Sequence, residues 1–139
     1  MVSKRAERGW AKQGILLPDG SGPLTYPIYA AVRAYQNGRC ACCERVLFVG
    51  DNRGECADHW HKNSDGSGPF RGVLCGGKRG CNFRFVGKVE RYKIRKGKPG
   101  TGEEAALRYL AHPPAQAWLN SGTAMMQKIQ ENWIEKRGE

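Results

Sequence analysis

Two cysteine pairs govern what this chain can become. Cys40 and Cys43 form a C-x2-C knuckle, and Cys75 and Cys81 form a C-x5-C pair further along. Zinc takes four such ligands in a tetrahedron, with Zn–S near about 2.3 Å, and two short loops that each supply two thiolates meet that need. The second loop, "GGKRG", is longer than a usual spacer, and its glycines let it fold back. A staple is needed: the 139 residues include 19 Gly and 7 Pro, and a loop-rich chain of that size buries only a modest core. Disulfides are the competing staple. The opening residues "MVSKRAERGW" lack an apolar signal-peptide core, and no run approaches the length of a membrane span. Both point to a reducing, cytoplasmic setting, where clustered cysteines bind metal. Cys42 competes poorly with Cys43, because C-x-C is a weak bite for one zinc, and Cys56 is expected to face the core as a small hydrophobe.

The charge narrows the partner. A net charge of +10 and a pI near 9.6 point to a polyanion, most often nucleic acid, against the plain alternative of solubility. Seven of the cations fall between Arg84 and Lys98, with Glu90 the one acid among them. Phe85 and Tyr92 interleave this run, which suits a folded segment better than a basic tail. Arg84, Lys88, Arg91, Lys93 and Arg95 are the candidate phosphate contacts; a solvated face is the bland reading of the same run.

Hydrophobic spacing places these features on elements. Residues 1–24 mix charge, Gly and Pro without clear periodicity and read as an arm with no buried element. The stretch 27–37 reads as a helix with Ile28, Val32 and Tyr35 on one face and Gly38 as its stop. A short apolar strand is expected at 46–49 and a turn at 51–54. "ECADHW" and "FRGVL" read as the two strands of a hairpin around the polar loop "KNSDGSGP". After Cys81 a helix or a third strand is open, since Phe85, Val89 and Tyr92 have helical spacing but Gly87 weakens it. Thr101 and Glu104 make a capping box for a helix that Pro113-Pro114 ends. A last helix, 123–136, carries Met126, Ile129 and Trp133 on one side, as a core or dimer-packing stripe.

Within the hairpin, His59 and His61 share one strand face while Asp58 and Trp60 point to the other. A flat strand would therefore separate Asp58 from His59, and an Asp-His pair alone is more often a salt bridge or a turn than a catalytic pair. Its position between two cysteine knuckles makes it informative. The combination "GRCACCERV…ADHWH…FRGVLC…CN" resembles the phage recombination endonuclease VII family of His-Me finger (HNH-type) nucleases. "FRGVLC" stands where that family has "VRGLLC", and "ALRYLAHPP" resembles the helix that often follows the motif. The resemblance covers about residues 33–114. It departs in the longer second knuckle and in the lack of an acid shortly after Asn82, where Phe83, Arg84 and Phe85 stand, so no accessory carboxylate is assigned.

The resemblance implies an α+β, mainly helical fold: a small zinc-stapled ββα-metal core at 27–100, a basic arm at 1–26 and a helical segment at 101–139. It makes Cys40, Cys43, Cys75 and Cys81 the ligands of a structural zinc. Asp58 and Asn82 become ligands of a catalytic divalent cation such as Mg2+, His59 the general base, and His61 a group that orients the phosphate or leaving group. One carboxylate and one amide oxygen suit a cation that keeps several waters and accepts phosphate oxygens. Arg71 reads either as a phosphate clamp or as a surface charge of the hairpin. The implied activity is DNA endonucleolytic cleavage of branched or distorted DNA such as Holliday junctions, in a phage or bacterial host cytoplasm. Nicking or restriction-type cleavage of duplex DNA is the close alternative, and a non-catalytic zinc-dependent nucleic-acid-binding module is the competing class. A homodimer is compatible with paired cleavage of a junction; no membrane is implied.

Overall fold

The computed structural model describes residues 2–47, 54–77, 80–121 and 123–138. The fold is α+β, with helices packed around a three-stranded sheet of order β1-β3-β2. The expected hairpin is present as β2 (Glu55–His59) antiparallel to β3 (Gly68–Cys75). Strand β3 is central and buried almost throughout, with Phe70, Val73 and Leu74 fully enclosed. A strand covered on both faces reads as a continuous apolar run rather than an alternating one.

The first 24 residues depart from the expected arm. Helix α1 (Val2–Gln13) leads into the short strand β1 (Ile15–Leu16), which pairs in parallel with Gly68 and Pro69 of β3. Ile15, Leu17 and Leu24 are buried, and Trp10 of α1 packs against the Tyr29 ring at 4.7 Å between centroids. The segment is rich in strong helix formers, Ala, Lys, Arg, Glu and Gln. Among its described side chains, Ala6 and Trp10 mark its inner face, too few to show as periodicity. Gly14, at φ +75, lets the chain pass within contact of the hairpin loop: a Cβ there would lie 2.8 Å from that of Ser67.

Helix α2 (Tyr26–Tyr35) buries Ile28 and Val32 as the spacing requires, while Tyr35 is exposed. Its left-handed stop begins one residue earlier than expected, at Asn37 (φ 58), and continues through Gly38 (φ 67). Of the expected strand at 46–49, Val46 bridges to Arg39. Positions 48 and 49, and most of the turn at 51–54, lie outside the described residues.

After the hairpin the chain turns helical, first as a π-helix at Asn82–Val86 and then as α3 (Gly87–Arg91). The Gly87 N–H donates to the Asn82 carbonyl, five residues back, and a Cβ on Gly87 would stand 3.1 Å from that oxygen. The glycine that weakened the helical reading thus sits where the helix is widest. Thr101 caps α4 (Gly102–Ala111), its Oγ1 accepting from the Glu104 N–H. Helix α5 (Pro114–Ser121) begins at the diproline, and α6 (Thr123–Gly138) packs against α2 and α5. Met126 of its expected stripe is buried and Ile129 packs at the core margin, so the stripe serves the interior of this chain.

Candidate active site and metal centre

The four expected cysteines converge. The Sγ atoms of Cys40, Cys43, Cys75 and Cys81 all lie within 4.8 Å of one another, and those of Cys43 and Cys75 are 3.9 Å apart. A zinc tetrahedron with Zn–S of about 2.3 Å has sulfur–sulfur edges of about 3.8 Å, so the cluster has the span that one ion requires. All six cysteines are free thiols here.

Local structure explains the convergence. The first knuckle is closed by hydrogen bonds from the Cys40 N–H to the Arg45 carbonyl and from the Glu44 N–H to the Cys40 carbonyl. It docks on β3 through the Ala41 N–H, which donates to the Val73 carbonyl two residues before Cys75. The Gln36 side chain pairs with both backbone groups of Val73, covering the free edge of β3 there. On the other side the long spacer folds back over its own start. Gly77 has φ +79, and a Cβ on Gly80 would lie 2.2 Å from the Gly76 carbonyl oxygen and 2.4 Å from that of Cys75. Only glycine fits, and the Cys81 N–H then donates to the Cys75 Sγ.

The thiols are unequal without an ion between them. Hydrogen bonds from Cys75 and Cys81 hold Cys40 far below its usual range as a thiolate. Sharing that proton with Cys40 pushes Cys81 well up, and burial raises Cys43 to about 11. Four crowded thiols, three buried and Cys43 exposed, are a chemistry that a divalent cation completes by displacing their protons. Cys42 is buried next to the cluster. Cys56 is only partly buried; its thiol, raised to about 12 by burial first and by Asp58 second, stays protonated and points to the Leu74 carbonyl.

The hairpin carries the second constellation. Asp58 pairs with Gly72 and His59 with Phe70, so the register slips between them and β3 contributes one extra residue, Arg71. A bulge of this kind re-aims a side chain and disrupts the alternation of faces. Arg71 is turned to the Asp58 face: Nε donates to Asp58 Oδ2 at 2.7 Å and Nη2 to Oδ1 at 2.9 Å. Nη1 and Nη2 also donate to Glu90 of α3, both at 2.9 Å, and the guanidinium lies over the Trp60 ring at 4.7 Å. Tyr109 of α4 adds a hydrogen bond to Asp58 Oδ2 at 2.6 Å. Burial alone would lower the Arg71 pKa, but its bonds to Glu90 and Asp58 outweigh that and raise it. Burial and then Asp58 push Tyr109 upward, so it remains a donor.

Arg71 is therefore neither a surface charge nor placed to clamp a phosphate. It is 0% exposed and commits its donors to two carboxylates. Glu90, Tyr109 and Trp60 are the site residues that sequence reasoning missed. For Trp60 the available signal was the strand alternation that put it on the Asp58 face; Glu90 and Tyr109 carried none.

His59, the last residue of β2, and His61 just beyond it lie together, with ring centroids 4.5 Å apart. His59 Nε2 is 3.3 Å from the Gly66 carbonyl oxygen. A carbonyl only accepts, so this bond exists in the tautomer with the proton on Nε2, which leaves the Nδ1 lone pair free. Burial, and secondarily His61, holds the His59 pKa below its ordinary 6.5. Asn82 heads the π-helix and lines a cavity of about 310 Å³ with Cys56, which lies two residues before Asp58 on β2. The basic residues Arg84, Lys88, Arg91, Lys93 and Arg95 are all exposed, with Lys88 paired to Glu103 at 2.9 Å.

A family model described as recombination endonuclease VII matches residues 20–111. The chain belongs to the recombination endonuclease VII family. The match takes in both cysteine pairs, the hairpin, the π-helix and α4. Membership makes the protein an endonuclease by family, with DNA as the substrate class, and the four-cysteine cluster is its candidate structural metal site. No curated protein and no solved structure gives a match. Among the described residues, no helix is long and apolar enough to cross a membrane.

Proposed function

We propose that this family member is a metal-dependent endodeoxyribonuclease with a His-Me finger core, in which His59 is the general base and Asp58 and Asn82 hold a divalent cation such as Mg2+. The observation that carries the reading is the state of His59. Its Nε2 lies 3.3 Å from the Gly66 carbonyl oxygen and burial holds its pKa below 6.5, so the imidazole with its proton on Nε2 keeps Nδ1 available as a base.

The donor chemistry fits a hard cation. Asp58 Oδ1 accepts one hydrogen bond, from Arg71, and keeps a lone pair; Asn82 supplies an amide oxygen at the head of the π-helix. When bound, the cation would stabilise charge on the phosphate and the leaving 3′ oxygen. The chain's own residues do the rest. His59 Nδ1 takes a proton from the attacking water. His61, exposed beside it, orients the phosphate or leaving group. Arg71 and Tyr109 fix the Asp58 carboxylate, and zinc at the four thiols fixes the start of the π-helix one residue before Asn82. Arg84, Lys88, Arg91, Lys93 and Arg95 contact the DNA backbone. Branched or distorted DNA is the proposed substrate, with duplex nicking as the alternative, in the cytoplasm of a bacterial host; a homodimer would allow paired cuts.

A second reading has one observation in its favour: Asp58 is 5% exposed and held by three hydrogen bonds. A non-catalytic, zinc-dependent DNA-binding module would keep Asp58 in that purely structural role. His59→Ala decides between them. Loss of Mg2+-dependent nicking with DNA binding intact supports the enzyme; wild-type protein that binds DNA but never nicks it supports the module.

A further inference from the structure

Directly after Asn82 the π-helix presents Phe83, a large aromatic ring that is 63% exposed. The neighbouring apolar side chains of the same segment are used inside. Val86 is buried, and Phe85 packs under α4 so closely that a Cβ on Gly102 would fall 2.3 Å from its ring. Phe83 instead forms one wall of the cavity of about 310 Å³ that it shares with Cys56, Gly76, Gly77 and Asn82. That volume is at the small end of ligand pockets, which run from roughly 300 to 1,000 Å³. Two glycines leave part of the wall as bare backbone, Asn82 offers an amide edge, and Cys56 completes the lining. The surroundings are cationic: Arg84 is exposed and lies over Phe85 at 5.0 Å, and Lys88 and Arg91 follow along the same helical segment. An exposed ring beside a small polar-edged cavity, among cations, is the arrangement by which proteins hold single unstacked bases: the ring stacks, the cations track the phosphates.

We propose that Phe83 stacks on a nucleobase displaced from its helix beside the scissile phosphate, and that this contact gives the enzyme its preference for DNA with unpaired or unstacked bases. The inference rests on the nuclease reading above. In intact duplex the bases are already stacked on one another, so the ring gains nothing; at a junction, bulge or flap an unpaired base is free to take it. Phe83 is a specificity residue here, with no part in moving protons.

The test uses the full-length, zinc-loaded protein without Mg2+, so that binding is read apart from cleavage. DNA with a 2-aminopurine in a single-base bulge, and the matching duplex, are titrated by anisotropy and by 2-aminopurine fluorescence. Wild type and Phe83→Trp should quench the bulged probe and bind it more tightly than duplex. Phe83→Leu, apolar but without a π face, should lose the quench and weaken bulge binding by roughly 5- to 150-fold while duplex affinity stays unchanged. Equal quenching and equal bulge preference in Phe83→Leu would overturn the proposal while leaving the nuclease reading standing. Wild type that binds neither DNA would overturn both. Sedimentation on the same samples covers the other occupant: if Phe83→Leu turns a dimer into a monomer and leaves the bulge signal unchanged, the ring serves a second copy of this chain and the proposal fails.

Discussion

Replacing Arg71 by Met tests whether the buried network holds the hairpin to the helices. The guanidinium is fully buried and gives two charge-assisted hydrogen bonds to Asp58, itself 5% exposed. Methionine keeps much of the side-chain bulk but leaves the carboxylate with Tyr109 alone. Glu90 also loses its partner, yet at 37% side-chain exposure it can rehydrate. The cost is therefore mainly that of one buried, half-satisfied carboxylate, about 3–5 kcal/mol. Counting two charged hydrogen bonds at about 1.5–3 kcal/mol each gives about 3–6 kcal/mol, which overlaps that range. With an unfolding entropy of about 2.1 cal/mol/K per residue, the 139 residues give about 0.3 kcal/mol/K, so Tm should fall by about 10–17 °C. Far-UV circular dichroism melts at pH 7 with zinc in excess measure this. The Asp58→Asn/Arg71→Met double variant removes the stranded charge and should melt above Arg71→Met alone, a positive coupling between the two sites. A fall under about 3 °C, or a double variant no more stable than the sum of the singles, would refute the reasoning.

Other consequences can be checked on the same protein. Tyr109→Phe removes one charged hydrogen bond to Asp58 and should cost about 1.5–3 kcal/mol, read as a fall in Tm; an unchanged Tm would show that the bond contributes nothing. Gly80→Ala places a Cβ against two carbonyl oxygens, at 2.2 and 2.4 Å, so zinc should pass to a chromogenic chelator far sooner than from wild type; equal retention would mean that the spacer closes in another way. Chelator should unfold the protein and reductant should not, because the cluster is four free thiols; the reverse outcome would restore the disulfide staple. His59 works as neutral imidazole, and burial holds its pKa below 6.5. Nicking should therefore persist to mildly acid pH and fall only as pH drops through that lowered value; an acid limb above 6.5, read from rate against pH, would exclude His59 as the base.

How much of this was legible in the sequence depends on the kind of signal. Ligand spacing and turn chemistry were local: the knuckle at Cys40 and Cys43, the hairpin around "KNSDGSGP" and the Thr101 cap all appear where the residues put them. The two histidines lie together as expected, although β2 ends at His59 and His61 follows it. Three things were not local. Among its described side chains, helix α1 shows Ala6 and Trp10 to the core, a pattern too thin to read as amphipathic. The bulge at Arg71 is a property of the pairing of two strands, and it buries fully a cation that read either as a phosphate clamp or as a surface charge. Tyr109 reaches Asp58 from α4 across 51 residues of chain, a contact that no spacing rule announces. The resemblance marked the Asp58–His59 pair, while the structure shows that Asp58 also belongs to a network that ties β2, β3, α3 and α4 together.

The central claim is that a zinc-held hairpin and helix present a hydrolytic site built on His59. The most direct measurement is a cleavage panel with Mg2+ on four-way, flap, bulged and linear duplex DNA, run for wild type and His59→Ala, with zinc content measured on the same samples. The account predicts one zinc per chain in both proteins, nicking by wild type that favours the branched substrates, and a loss of rate on the order of 10²–10⁴-fold in His59→Ala with DNA affinity retained. Wild type that holds its zinc, binds all four DNAs and cuts none of them would contradict it, as would a His59→Ala variant that cuts as fast as wild type.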